Sequence, residues 1–213
     1  MAIRAYDEMY VAGAQNVLGH AVDFAVMSLE IDPNAFGNAF AVSDTSKQFA
    51  NGNPRYVAGM NGCELARKVL SETNMPYHDT DDAMFLDKSP EYWAGWALAY
   101  YQWYSGRSFL EILTPVPLEQ IIRMYTPFHE QDIMQFVDRM EEKMRTAYPQ
   151  TNLRRKRERS GLSQSELAAE ADVPLRQIQL FEQRQRDINK TAAITLYRLS
   201  KSLSCRMEEL LER

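Results

Sequence analysis

The sequence predicts an all-α fold in two domains, and three observations carry that prediction. Through most of the 213 residues the apolar side chains recur at helical rather than alternating spacing. Proline and small polar residues stand where helix starts belong, and glycine where one should end. The charge also changes sign along the chain. Residues 1–150 carry 11 Lys+Arg against 20 Asp+Glu, net −9, while 151–213 hold 13 against 9, net +4.

The helices can be justified in order. Over 4–30, Tyr6, Met9, Tyr10, Val17, Leu18, Ala21, Phe24 and Met27 fall on helical spacing. Asp32-Pro33 opens a short second helix, and the Gly/Asn-rich ANGNP at 50–54 is a turn before another helix over 55–73. The run 89–106 has Ser89 as N-cap, Pro90 at the first helical position, Glu91 at the positive end and Gly106 to close it. Ser108 and Glu111 have capping-box spacing. Thr126-Pro127 should start a helix reaching about Arg145, with Ile133, Phe136, Val137, Met140 and Met144 on one stripe. The boundary falls in AYPQTNL, 147–153, giving an acidic helical domain over 1–148 and a basic one over 151–213.

The tail divides into five helices. They are NLRRKRERS stopped by Gly161, SQSELAAEA with Ser163 and Glu166 as a capping box, PLRQIQLFEQ after the turn at Asp172-Val173-Pro174, then 191–202 and 206–212. Leu153, Leu162, Leu167, Ala168, Val173, Ile178, Phe181, Leu199, Leu203, Met207 and Leu210 form one inward set. About 60 residues without disulfide or metal can fold only if this set packs well.

The runs RERSGLSQSELAAEADV (157–173), RQIQLFE (176–182) and LYRLSKSLSCRMEELL (196–211) resemble the Cro/C1-type, lambda-repressor-like helix-turn-helix DNA-binding family, over residues 152–212. The resemblance implies that helix three enters the major groove, with Pro174, Leu175, Arg176, Gln177, Gln179 and Leu180 facing or bordering bases. It implies that Gln164 lies near the DNA backbone, and that Arg157 and Glu182 form a structural ion pair. Asp172, Arg184 and Ser204 depart from the glycines common in that family, so the loop around 183–187 is expected to follow another path. Lys156 stands where an apolar residue is usual.

The side chains agree with such an expectation. Arg can hold guanine O6 and N7 with two donors, Gln can do the same to adenine, and Leu175 can lie against a thymine methyl. Arg184, Arg186 and Lys190 follow helix three as candidate phosphate contacts. The plainer alternative is that these polar groups are a solvated helix face. A small module gains affinity by dimerising on a palindromic operator with half-sites about 34 Å apart, so double-stranded DNA and a homodimer are the expected partners.

The first domain holds no assembled catalytic set. HEQD at 129–132 lacks the second His of a zinc-protease helix, and HDTDD at 78–82 lacks the Gly and distal Glu of a calcium loop and reads as solvated. GMNGCEL around Cys63 lacks a phosphate-loop Lys, and Cys63 reads as a small buried residue. No metal, no cofactor and no enzyme are expected. Trp93, Trp96, Tyr100, Trp103 and Tyr104 form an aromatic stripe, read first as core and alternatively as an anchor for a partner protein. No run reaches the ~20 apolar residues of a membrane span, and two separated cysteines suit a reducing cytoplasm.

The expectation is a cytoplasmic, sequence-specific transcriptional regulator, a repressor by preference, whose acidic domain binds a partner, dimerises or senses a small molecule. A second reading is an antitoxin that neutralises a toxin through residues 1–148 and represses its own operon. An enzyme in the first domain is the third.

Overall fold

The computed structural model describes residues 4–82 and 88–212, and among these there is helix and no strand. The chain forms two compact units, Met1–Ala147 and Tyr148–Arg213.

In the first unit, α1 (Val11–Asp23) packs along α6 (Pro90–Ser105), and α5 (Gly62–Glu72) lies against α1. Glycine makes the α1–α6 approach possible: a Cβ on Gly95 would stand 2.9 Å from the Gly19 Cα and closer still to the Leu18 carbonyl. The helix α6 starts and ends on the predicted residues. Ser89 accepts from the Tyr92 N–H, Pro90 opens the first turn, and Gly106 closes it at φ 58°. The shorter helices α2 (Pro33–Val42), α3 (Asp44–Ala50), α7 (Phe109–Leu113) and α8 (Leu118–Arg123) complete the core, where Phe36, Phe40, Phe49 and Phe109 are fully buried. Asp32 caps α2, and the Ser108–Glu111 capping box starts α7.

Four expectations require correction here. The run 4–30 is not one helix: a 3-10 turn (Glu8–Tyr10) precedes α1, and a π-helical turn (Phe24–Ser28) follows it. The wider turn inserts a residue into the 3.6 spacing and rotates Met27 outward; Met27 and Met9 are exposed. The span 55–73 breaks into α4 (Pro54–Val57) and α5, because Asn61 and Glu64 form a capping box that starts a new helix. The span 126–145 likewise breaks into α9 (Tyr125–Phe128) and α10 (Ile133–Ala147), where Asp132 accepts from the Met134 N–H and begins the second helix. Finally, only Trp103 of the aromatic stripe is buried; Trp93, Trp96, Tyr100 and Tyr104 are half-buried. Where α6 meets α1, Gly95 lies against Leu18 and Gly19, and Tyr92 lies against Gly19, while Trp93, Trp96, Tyr100 and Tyr104 keep part of their rings in solvent.

The second unit comprises α11 (Asn152–Arg159), α12 (Gln164–Ala171), α13 (Leu175–Glu182) and α14 (Ala193–Ser202), with 3-10 turns at Ile188–Lys190 and Met207–Leu210. Residues 206–212 therefore make one short 3-10 turn rather than a fifth α-helix, and Met207 is exposed instead of inward. Ile188 and Ala171, outside the expected inward set, join the core with Leu153, Leu167, Val173, Ile178, Phe181, Leu199, Leu203 and Leu210. Leu162 and Ala168 pack partly buried against them. Lys156 keeps its unusual place by reaching Glu209, 3.1 Å away.

Candidate nucleic-acid interface

The corner between α12 and α13 follows from its local sequence. Ser163 and Glu166 exchange backbone hydrogen bonds and start α12. Asp172 ends it in the left-handed region at φ 49°, and the Val173 N–H donates back to the Ala168 carbonyl, 3.1 Å. Arg198 of α14 donates to the Asp172 carbonyl at 3.0 Å and pairs with its carboxylate at 2.9 Å, so the corner is tied to the next helix. Pro174 then opens α13.

Helix α13 has two faces. Ile178 and Phe181 are buried, Leu175 and Arg176 are exposed, and Gln177, Gln179 and Leu180 are half-buried. Arg176 makes no ion pair among the described residues, so its guanidinium donors are open to solvent. Gln177 is already engaged: its Nε2 donates to Thr191 Oγ1 at 3.2 Å.

Beneath this face lies a polar network. The Arg157 Nε and Nη2 donate to the two Glu182 carboxylate oxygens at 2.7 and 2.9 Å, and Nη1 donates to the Leu162 carbonyl at 2.8 Å. Both side chains are nearly out of solvent, and the Glu182 carboxylate pushes the Arg157 guanidinium above its ordinary value. Gln164 Nε2 donates to the same carboxylate at 2.7 Å. Thus Gln164, expected at the DNA backbone, here braces the ion pair from the start of α12.

The loop after α13 is also held from within. Arg184 takes φ 56°, the Gln185 and Arg186 N–H groups both donate to the Leu180 carbonyl, and Arg184 Nη1 donates to the Pro149 carbonyl at 2.8 Å. Its Nη2 lies 3.6 Å from Glu212. Of the phosphate contacts expected after α13, Arg184, Arg186 and Lys190 are all exposed, and Arg184 has these two partners within the unit. Arg186 lies 5.9 Å over the Phe181 ring, and Lys190 is 3.6 Å from Asp187. The three non-glycine positions all adopt left-handed backbone, with φ of 49° at Asp172, 56° at Arg184 and 47° at Ser204. The path expected to change at 183–187 thus keeps the conformation a glycine would take.

The Asp172–Arg198 tie has no signature in the local sequence, nor does a second network at the end of the unit. There the Asn152 side chain donates to the Leu211 carbonyl at 2.6 Å, and the Glu212 N–H donates to Asn189 Oδ1 at 2.9 Å. Both join residues 23 or more apart, so no local spacing announces them.

In the first unit the HDTDD loop is exposed throughout, as expected, and is also tied to α5. Arg67 donates to Asp79 (2.7 Å), Asp82 (2.5 Å) and the Thr80 carbonyl (2.6 Å), and its hydrogen bond holds the Asp79 carboxyl below its ordinary value. His129 stacks on Tyr125 with ring centroids 4.1 Å apart. Cys63 is buried, and among the described residues no group of His, Cys, Asp and Glu is placed to hold a metal ion. No helix among them is long and apolar enough to cross a membrane.

The chain matches no protein-family model, and no curated protein and no solved structure is significantly similar to it.

Proposed function

We propose that the chain is a sequence-specific DNA-binding transcriptional regulator of the helix-turn-helix kind, reading double-stranded DNA as a homodimer through α13. The observation that carries this reading is the division of α13. Its inward residues Ile178 and Phe181 lock it to a core, Glu182 is pinned by Arg157, and Leu175, Arg176 and Gln179 remain on the outer side. A helix held this firmly, with an unpaired Arg near its N-terminal end, suits base contact in the major groove. The net charge of +4 over 151–213 supplies the attraction to phosphate, with Arg186 and Lys190 the best-placed contributors. Leu180 and Gln177 are proposed to border the bases rather than to lead the readout.

The test is binding of the full chain to operator fragments with and without Arg176→Ala. Loss of roughly 1–3 kcal/mol, with relaxed preference at one base pair, is the expected result. Unchanged affinity and footprint would remove Arg176 from the readout.

The net charge of −9 over residues 1–150 favours a second reading of that unit, as a surface for a basic protein partner such as a toxin, whether or not the chain also binds DNA. Co-purification of the full chain with the product of a neighbouring gene, stable at physiological salt and lost at high salt, would support it.

A further inference from the structure

The half-buried rings of α6 leave a feature that a sealed core would not have. An open cleft of about 340 Å³ in the first unit is walled by Trp93 and Trp96 of α6 and by Tyr125, Phe128 and His129 at α9, with Lys88 among its lining. That volume is in the range of small-molecule sites, which combine apolar and aromatic walls with a few polar groups. The rings are fixed by one another: Trp93 meets Tyr125 edge-on at 5.9 Å and Phe136 at 5.4 Å, while His129 stacks on Tyr125. A cleft with such supported walls is preformed.

The charge at the cleft selects among occupants. An aromatic cage alone would attract a cation. Here, however, the exposed Lys88 ammonium already faces the Tyr92 ring at 4.1 Å and lies 3.3 Å from His20 Nε2. No carboxylate pairs with Lys88 among the described residues. Burial, and then the Lys88 charge, hold His20 below its ordinary value, so the imidazole is a neutral neighbour and no counter-ion. Two carboxylates lie near the walls, Glu130 at 3.6 Å from His129 Nε2 and the buried Asp23 bonded to the Ser89 hydroxyl. Neither is in the lining, where Lys88 is the permanently charged side chain. Charges beyond about 8 Å are largely screened at physiological salt.

We propose that this cleft binds a small flat aromatic carboxylate, its ring among Trp93, Trp96 and Tyr125 and its acid group on Lys88. The site lies entirely within the first unit, so the proposal stands or falls separately from DNA binding.

The experiment uses the full chain and two probes, 2-naphthoate and its neutral counterpart 2-naphthamide. Calorimetry gives the affinities, and the indole N–H signals in NMR give the place. Trp103 is the internal reference, because its Nε1 is bonded to the Tyr6 carbonyl at 2.9 Å, away from the cleft lining. The expected result is saturable binding of the acid, binding of the amide roughly tenfold weaker, and shifts of Trp93 and Trp96 but not Trp103. Lys88→Gln, an exposed change that leaves the core intact, should bring acid and amide to the same affinity. Three results would each overturn the proposal: no saturation by the acid up to about 1 mM, equal affinities of the native chain for acid and amide, or an unchanged preference in Lys88→Gln.

Discussion

Replacing Glu182 with alanine probes the polar network that holds α13. The carboxylate accepts two hydrogen bonds from Arg157 and one from Gln164, at 2.7 to 2.9 Å, and its side chain is only 3% exposed. Alanine removes the acceptor and leaves a nearly buried guanidinium with the Leu162 carbonyl and a 3.9 Å contact to the exposed Glu158, plus a stranded Gln164 amide. Breaking a buried pair in this way costs about 3–5 kcal/mol. A unit of this size has about 3–10 kcal/mol of stability in all, so the variant should sit close to unfolding. Since all three Trp residues lie in the first unit, their fluorescence would miss the event. Hydrogen exchange across 175–182 in the full chain is the proper assay. Protection there should fall by roughly 10²- to 4 × 10³-fold, as 3–5 kcal/mol implies. The double variant Arg157→Met, Glu182→Ala should recover part of the loss, because no charge is then left buried. A fall corresponding to less than about 1 kcal/mol, or simple additivity in the cycle, would refute the argument that the pair holds the helix.

Other expectations follow from the backbone and from His20. Gly95→Ala should destabilise the first unit by about 1–3 kcal/mol or more, although alanine is favoured by ~1 kcal/mol in an isolated helix; urea unfolding followed by Trp fluorescence reads it, and a stabilised variant would contradict the close α1–α6 approach. Ser204 is exposed and left-handed at φ 47°, so Ser204→Gly should stabilise the second unit by roughly 0.5–1 kcal/mol. Decreased exchange protection at Leu199 and Leu203 in that variant would count against a left-handed residue there. His20 is held below its ordinary value, so its contribution to stability is complete above about pH 6.5 and is lost as pH falls toward the folded value. Lys88→Gln removes one cause of that shift and should raise the NMR titration midpoint of His20; an unmoved midpoint would separate the two residues.

How legible the chain was depends on the range of the interaction concerned. Capping residues act over three positions, so Ser89, Ser108 and Ser163 marked their helices correctly, and Pro90 and Gly106 bounded α6 to the residue. Apolar periodicity located α10's stripe but could not register the π-helical turn that exposes Met27, because one extra residue per turn looks the same in a short window. The stripe on α6 illustrates the same limit. Ring size suggested core, whereas the close approach of α6 to α1 is made at Gly95 against Leu18 and Gly19. At the candidate interface, the Arg157–Glu182 pair was anticipated through the resemblance. The roles of Arg198, Asn152, Asn189 and Thr191 were not, since each meets a partner far along the chain or across a loop. Nothing local shows that the exposed Arg184 guanidinium also reaches Pro149 and Glu212.

The most direct test of the central claim is selection of genomic fragments by the full chain at physiological salt, in parallel with the variant Arg176→Ala, Gln179→Ala. The account predicts one palindromic motif for the native chain, lost or relaxed in the variant, with non-specific binding retained by both. Recovery of no motif by the native chain, or of the same motif with equal strength by both, would contradict α13 as a reader of DNA.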